Sequence, residues 1–391
     1  MKRLNIAILP CITFIAFATL LLPLRSGVSA GILPQRTRNP GNCGAWSQVA
    51  IPNAGTSSNF LSGVAAISAN NVWAVGSYGN GNGGFTFVEH WDGTQWKVAA
   101  SPNINGSLSG VAAIAANNVW AVGGYNNSSL TLIEHWNGTT WSIVSSPNVS
   151  SLGDSLAAIS AISATDIWAV GSISGNRGYQ GLIEHWNGTS WSIVSSSVAG
   201  PLSSVTAIAS NNVWAVGDAV GAKGIQTLIE HWNGSTWSVV NSSGPGLATN
   251  TLNGIAAITA NNVWAAGDDS NGVTPYADYA PLIEHWNGAS WSIVSSPLQG
   301  TSDLVNGIAA LSANNIWTVG DYRTGLDPNG PYFTLIEHWN GTAWSVVKSP
   351  SPGSIATDLV AAASVPATNK VWSVGFTQGD NIYQTFTAFY C

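Results

Sequence analysis

One repeated unit constrains this chain more than any other feature. Its twenty tryptophans fall into three recurring positions with none left over. Trp73, Trp120, Trp168, Trp214, Trp264, Trp317 and Trp372 each follow Val or Ile after a polar turn. Trp91, Trp136, Trp186, Trp232, Trp286 and Trp339 each end a Glu-His-Trp triplet. Trp96, Trp141, Trp191, Trp237, Trp291 and Trp344 follow the next turn, as does Trp46 near the start. The first set recurs every 46 to 55 residues. Periods of this size belong to propellers and solenoids.

Each unit reads as four short strands. In the second they are "SGVAAIAA", "VWAVG", "LTLIEHW" and "WSIVSS". Asn117-Asn118 separates the first pair and Asn137-Gly138 the last. Asn-Gly between β-rich segments signals a hairpin, the expected turn being type I′ with positive φ at both central residues. No segment of the unit has the length and 3.6-residue period of a helix. Four antiparallel strands at this period describe a propeller blade. The expected fold is all-β: a seven-bladed β-propeller of four-stranded antiparallel blades. The first strand carries the smallest side chains, which suits the crowded centre.

Six units are complete, and the seventh lacks its outer strand. The missing strand is found in "CGAWSQVAIPN". Aligning Trp46 with Trp191 sets Cys43 on Gly188, and aligning Tyr390 with Trp186 sets Cys391 on Asn187. The two cysteines thus replace the Asn-Gly turn. The sequence predicts a Cys43–Cys391 disulfide closing the ring, with two free thiols as the alternative.

Residues 1–30 have a cationic start, an apolar run and a small-residue exit, the pattern of a secretory signal peptide. An uncleaved anchor is the alternative. Residues 31–42 read as a linker and 43–391 as the propeller. The blades span about 58–103, 104–148, 149–199, 200–245, 246–298, 299–352, and 353–391 with 43–52. Cleavage removes Lys2, Arg3 and Arg25 from eleven basic residues, leaving eight against eighteen acidic ones, a net charge of −10. There is no cationic run, which argues against nucleic acid and, once the signal is cleaved, against membrane. The expected protein is secreted and monomeric.

The frame of Val-Trp followed by an aromatic-Asn/Asp-Gly-x-x-Trp hairpin resembles tectonin or tachylectin-type propeller repeats. More loosely it resembles the kelch and galactose-oxidase class. The resemblance covers residues 43–391 and implies carbohydrate binding, since tectonin-type members are often lectins. It transfers no ligand residues, because the third strand here ends Glu-His-Trp instead of a basic-Trp pair.

Glu-His-Trp looks like chemistry but repeats like scaffold. All six histidines (His90, His135, His185, His231, His285, His338) occupy one position, each after a Glu. On third strands of a seven-fold ring, neighbouring histidines lie roughly 15 Å apart, too far to share a metal. Glu and His alternate on the strand and face opposite ways. The expectation is a structural His bonded to backbone or to a turn Asn between blades. Ala388 and Phe389 take the Glu and His places in the seventh unit. Sialidase and galactose-oxidase chemistries are not expected: residues 43–391 hold two arginines, Arg177 and Arg323, and every His is in the repeat. Neither a cofactor, a metal nor a catalytic residue is expected.

Function is therefore expected on the face whose loops vary, those between strands two and three and between blades. The candidate ligand-binding residues are Asp268, Asp269, Tyr276, Tyr279, Asp321, Tyr322, Arg323 and Tyr332. Aromatic planes beside hydroxyls and carboxylates suit a glycan or an extracellular protein. Asp327 in "DPNG" is a weaker candidate for calcium. The expected function is a non-catalytic, lectin-like or adhesion-type module. The alternative is a carbohydrate-active enzyme on the same face.

Overall fold

The computed structural model describes residues 43–391 except 82, 127–128, 177, 197–199, 223, 243, 246–248, 271, 273–278, 326, 328–329 and 380–381. The signal-peptide and linker expectations, Arg177 and Tyr276 lie outside the described residues.

Among these residues, 28 strands form repeated four-stranded antiparallel blades. The first blade is Ser58–Ser68, Asn71–Gly79, Gly84–Trp91 and Trp96–Val98, hydrogen-bonded in that order. The innermost strands contact one another in sequence order, and Ala356–Ser364 contacts Ser58–Ser68. Trp46–Gln48 is the outer strand of the sheet formed by Ala356–Ser364, Val371–Gly379 and Ile382–Tyr390. Trp46 lies opposite Tyr390, as Trp191 lies opposite Trp186 in the third blade. No helix among the described residues is long and apolar enough to cross a membrane.

Each inner strand shifts register opposite the strand-two glycine, as between Leu61 and Gly63 or Leu252 and Gly254. That bulge turns a carbonyl toward the second strand. It meets the glycine that ends every Val-Gly or Ala-Gly pair: a Cβ on Gly76 would collide with the Phe60 carbonyl, and one on Gly267 with that of Thr251. The repeated glycine is a close backbone approach.

The hairpin between strands three and four differs from the expected type I′. Four residues separate Trp186 from Trp191, and only the glycine, Gly188, has positive φ, at 95°. Asn187 contributes its side chain instead. Its Oδ1 accepts the N–H groups of Thr189 and Ser190 and the Thr189 hydroxyl. This Asx turn achieves reversal without placing Asn in the left-handed region.

The core lies between blades. Each strand-two Trp packs against the strand-three and strand-four aromatics of the next blade. Trp168 meets Trp232 and Trp237 at 5.1 and 5.5 Å. Trp317 meets Tyr390 and Trp46 at 4.5 and 5.4 Å. Trp372 meets Trp91 and Trp96 at 5.1 and 5.2 Å. Burying such a ring removes about 150–250 Å² from water, an upper estimate of about 4–6 kcal/mol each.

Candidate functional site

The Glu-His-Trp residues form two separate structures. Each His ring stacks on the strand-two Trp of its own blade and hydrogen-bonds the first residue of that strand. His90 lies 4.2 Å from Trp73, ring to ring, and 2.9 Å from Asn71 Oδ1. His185 makes the same contact with Asp166 at 2.9 Å. These bonds run within a blade, not between blades. Burial holds His135, His231, His285 and His338 below the usual imidazole range.

The glutamates run between blades. All six are fully buried. Ser146 donates to Glu184 at 2.8 Å, Ser196 to Glu230 at 2.7 Å and Ser242 to Glu284 at 2.6 Å, each from the preceding blade. Ser296 donates likewise to Glu337, whose other oxygen accepts from Thr318. Burial pushes Glu134 up to about 8, and Glu184 and Glu337 up to about 7.

The loop-bearing ends of the inner strands break the repeat. The residue after the strand-two glycine is Ser77, Gly124, Ser172, Asp218, Asp268, Asp321 and Phe376 in blade order. The residue opposite, on strand one, is Phe60, Ser107, Ser155, Pro201, Thr251, Leu304 and Asp358. Carboxylates therefore gather in consecutive blades, at Asp218, Asp268, Asp321 and Asp358. Asp268, 6% exposed, accepts the Val305 N–H of the next blade at 2.6 Å and the Asn253 amide at 2.9 Å. Burial still pushes it up to about 8. Asp321, 4% exposed, hydrogen-bonds Asp358. Burial first, then the charges of Asp358 and Asp268, hold Asp321 well above the carboxylate range. Asp358 accepts from the Asn306 amide at 3.0 Å, and burial pushes it up to about 6. Burial and mutual repulsion favour a proton held between the two carboxyls.

The other loop-face candidates form a second group. The Arg323 guanidinium stands 4.2 Å over the Tyr332 ring, and Tyr322 lies 5.4 Å from Phe333. Asp269 and Tyr279 flank the end of Asn262–Ser270, Asp269 on that strand and Tyr279 opposite Ser270. Asp327 is exposed, and its carbonyl accepts the Gly330 N–H in a turn. Among the described residues, no group of three or more His, Cys, Asp or Glu is arranged to hold a metal ion. Sequence reasoning named Asp268 and Asp321 but missed Asp358, Asn253 and Asn306. Comparing equivalent positions across repeats would have found them.

Cys43 and Cys391 face each other, and the structure holds them as free thiols. The Gly44 N–H donates to the Cys391 carbonyl at 3.0 Å, and the two thiols hydrogen-bond. Burial, then the neighbouring Cys43 sulfur, pushes the Cys391 thiol up.

No family model and no curated protein matches this chain. Among solved structures it is similar to YCF48 bound to D1 peptide, with a TM-score of 0.55 and 15% identity over 89% of this chain and 97% of that one. It is also similar to YCF48 from Cyanidioschyzon merolae, with a TM-score of 0.53 and 14% identity over 88% and 98% of the two chains. Sqt1 of Chaetomium thermophilum, bound to the N-terminus of ribosomal protein L10, aligns with a TM-score of 0.48 and 14% identity over 81% and 82%. The likeness is to the propeller class and singles out neither tectonin nor kelch repeats. The chain is a protein of repeated four-stranded antiparallel blades with propellers as its structural neighbours.

Proposed function

We propose that this chain is a closed seven-bladed propeller, secreted, that binds an extracellular protein through its loop-bearing face. The observation that carries the reading is the broken symmetry there. Most of the molecule repeats, whereas Asp268, Asp321 and Asp358 occupy one arc beside the Tyr322, Arg323 and Tyr332 group. The scaffold glutamates recur in blade after blade, whereas these carboxyls gather on one side only, as the groups of a functional site do. The YCF48 neighbour was solved with a bound peptide, which favours a peptide segment over a glycan. The direct bond between Asp321 and Asp358 favours binding over glycoside hydrolysis, whose paired carboxyls stand about 5–10 Å apart.

The test sets purified protein against a glycan array and a random-peptide display in parallel. The expected result is saturable peptide binding, weakened at least tenfold by Tyr322→Ala or Tyr332→Ala with an unchanged melting curve. Selective glycan binding would move the reading to a lectin, and released sugar products would move it to an enzyme.

A further inference from the structure

The acidic arc ends against an aromatic one. Asp358 is the Cα partner of Phe376 across the inner strand pair of the composite blade. Directly opposed residues place their Cβ atoms about 4.5–5.5 Å apart. Phe376 lies 5.1 Å from Phe60 and 5.7 Å from Tyr383, ring to ring, and Phe60 lies 4.9 Å from Tyr383. All three rings, and Asp358 itself, are partly exposed. Beside them, Asp321 Oδ2 is buried with no hydrogen-bond partner among the described residues. Going the other way round the ring, the equivalent positions hold Ser107, Gly124, Ser155 and Ser172.

We propose that Asp321, Asp358, Phe60, Phe376 and Tyr383 form a site for one cationic side chain, the arginine or lysine of an extended peptide. The proposal rests on the protein-binding reading above and names what that face selects. A guanidinium or ammonium group supplies the donors that the buried carboxylate oxygen lacks. It replaces the proton that Asp321 and Asp358 now share. Its charge is further stabilised over aromatic faces, an interaction that strengthens as water is excluded. The raised carboxyls fit this role, because an incoming cation offsets the burial that keeps them neutral. Arg323 stands over Tyr332, and its charge reaches Asp321 without a hydrogen bond to Oδ2. The chain's acidic balance, with eighteen acidic against eleven basic residues, attracts such a partner at long range.

The experiment uses hexapeptide pools, random except for one fixed central residue: Arg, Lys, Gln, Leu or Glu. The Arg and Lys pools are expected to be retained at least tenfold over the Gln pool, less so at high salt. Asp358→Asn and Asp321→Asn each bring retention down to the Gln level, and Phe376→Leu lowers it several-fold. Melting curves accompany each variant, so that a variant that fails to fold leaves the other two to decide. Equal retention of all pools overturns the cation site and leaves the peptide-binding reading standing. Retention of the Arg pool unchanged in a folded Asp358→Asn variant also overturns it. Retention of no pool overturns both.

Discussion

The blade interfaces in the middle of the chain and the two that border the composite blade solve one problem differently. At four of the five regular interfaces a serine hydroxyl donates to the buried glutamate of the next blade, as Ser146 does to Glu184; Glu134, at the fifth, has no such bond. At the composite blade that pairing is dismantled on both sides. Ala388 stands where a glutamate would be, so Ser349 is left with its bond to Thr334 of its own blade at 2.7 Å, a contact that Ser146 also makes to Thr131. On the other side Ile51 occupies the serine position, and both oxygens of Glu89 lack a partner. Burial holds Glu89 well above the usual carboxylate range. Apolar packing replaces the latch: Phe389 takes the histidine's place over Trp372 at 4.6 Å, and Tyr390 and Trp46 cover Trp317. A polar network can thus be removed as a set where aromatic surface takes over, whereas half of it left behind is a liability.

This contrast is sharpest at the cysteines. Oxidation of Cys43 and Cys391 would cross-link nearly the whole described chain, and a chain-entropy estimate gives about 6 kcal/mol for such a loop. Thiol titration and thermal unfolding with and without reductant check it: the oxidised form is expected to melt higher, and Cys43→Ser to abolish the difference. A tryptophan between regular blades comes next. Trp168→Ala is expected to cost about 3–5 kcal/mol by denaturant unfolding. At the latches, Ser146→Ala strands the Glu184 carboxyl and is expected to cost about 1–3 kcal/mol. Ser349→Ala at the composite blade, which strands no carboxyl, is expected to cost under about 1 kcal/mol. Equal costs would erase the distinction between the two kinds of interface.

The smallest effect depends on pH. Acids whose folded pKa is raised bind protons more tightly in the folded than in the unfolded state. Their contribution is fully present below about pH 4, the unfolded value. It is lost as pH rises through the folded values, about 6 for Asp358, 7 for Glu184 and Glu337, and 8 for Glu134 and Asp268. The melting temperature is therefore expected to fall from pH 5 to pH 8. Glu89→Gln, which removes one such acid where no hydrogen bond is lost, is expected to flatten that slope slightly. A steeper slope in this variant would mean that Glu89 is ionised and paired.

The strands, their order and the Trp46–Tyr390 pairing were legible because each follows from a repeated residue pattern that has few other physical solutions. The hairpin geometry was not, because Asn-Gly serves two turns: one uses the asparagine backbone, the other its side chain. That Glu and His face opposite ways could be read from strand alternation, but the serine latch could not. Ser146 is five residues past Trp141, in a stretch with no strand period. The site residues were read from loop chemistry, which found Asp321 and Arg323. Asp358 and Phe60 escaped because they sit on inner strands, where small apolar neighbours read as core. They emerge only when strand-one positions are compared from blade to blade.

The outer strands, such as Trp141–Ile143 and Trp191–Ile193, are three residues long. Their last side chains are apolar and open to solvent, Ile143 being 51% exposed. A sheet margin of that character invites foreign strands, and most proteins guard such margins with lysine. This chain has charge on 7% of its residues and places a lysine on one outer strand, Trp96–Val98. Brevity does the guarding instead: three residues offer too few free amides to template a neighbour. Lengthening these strands by a residue or two would leave the blades intact and invite stacking edge to edge.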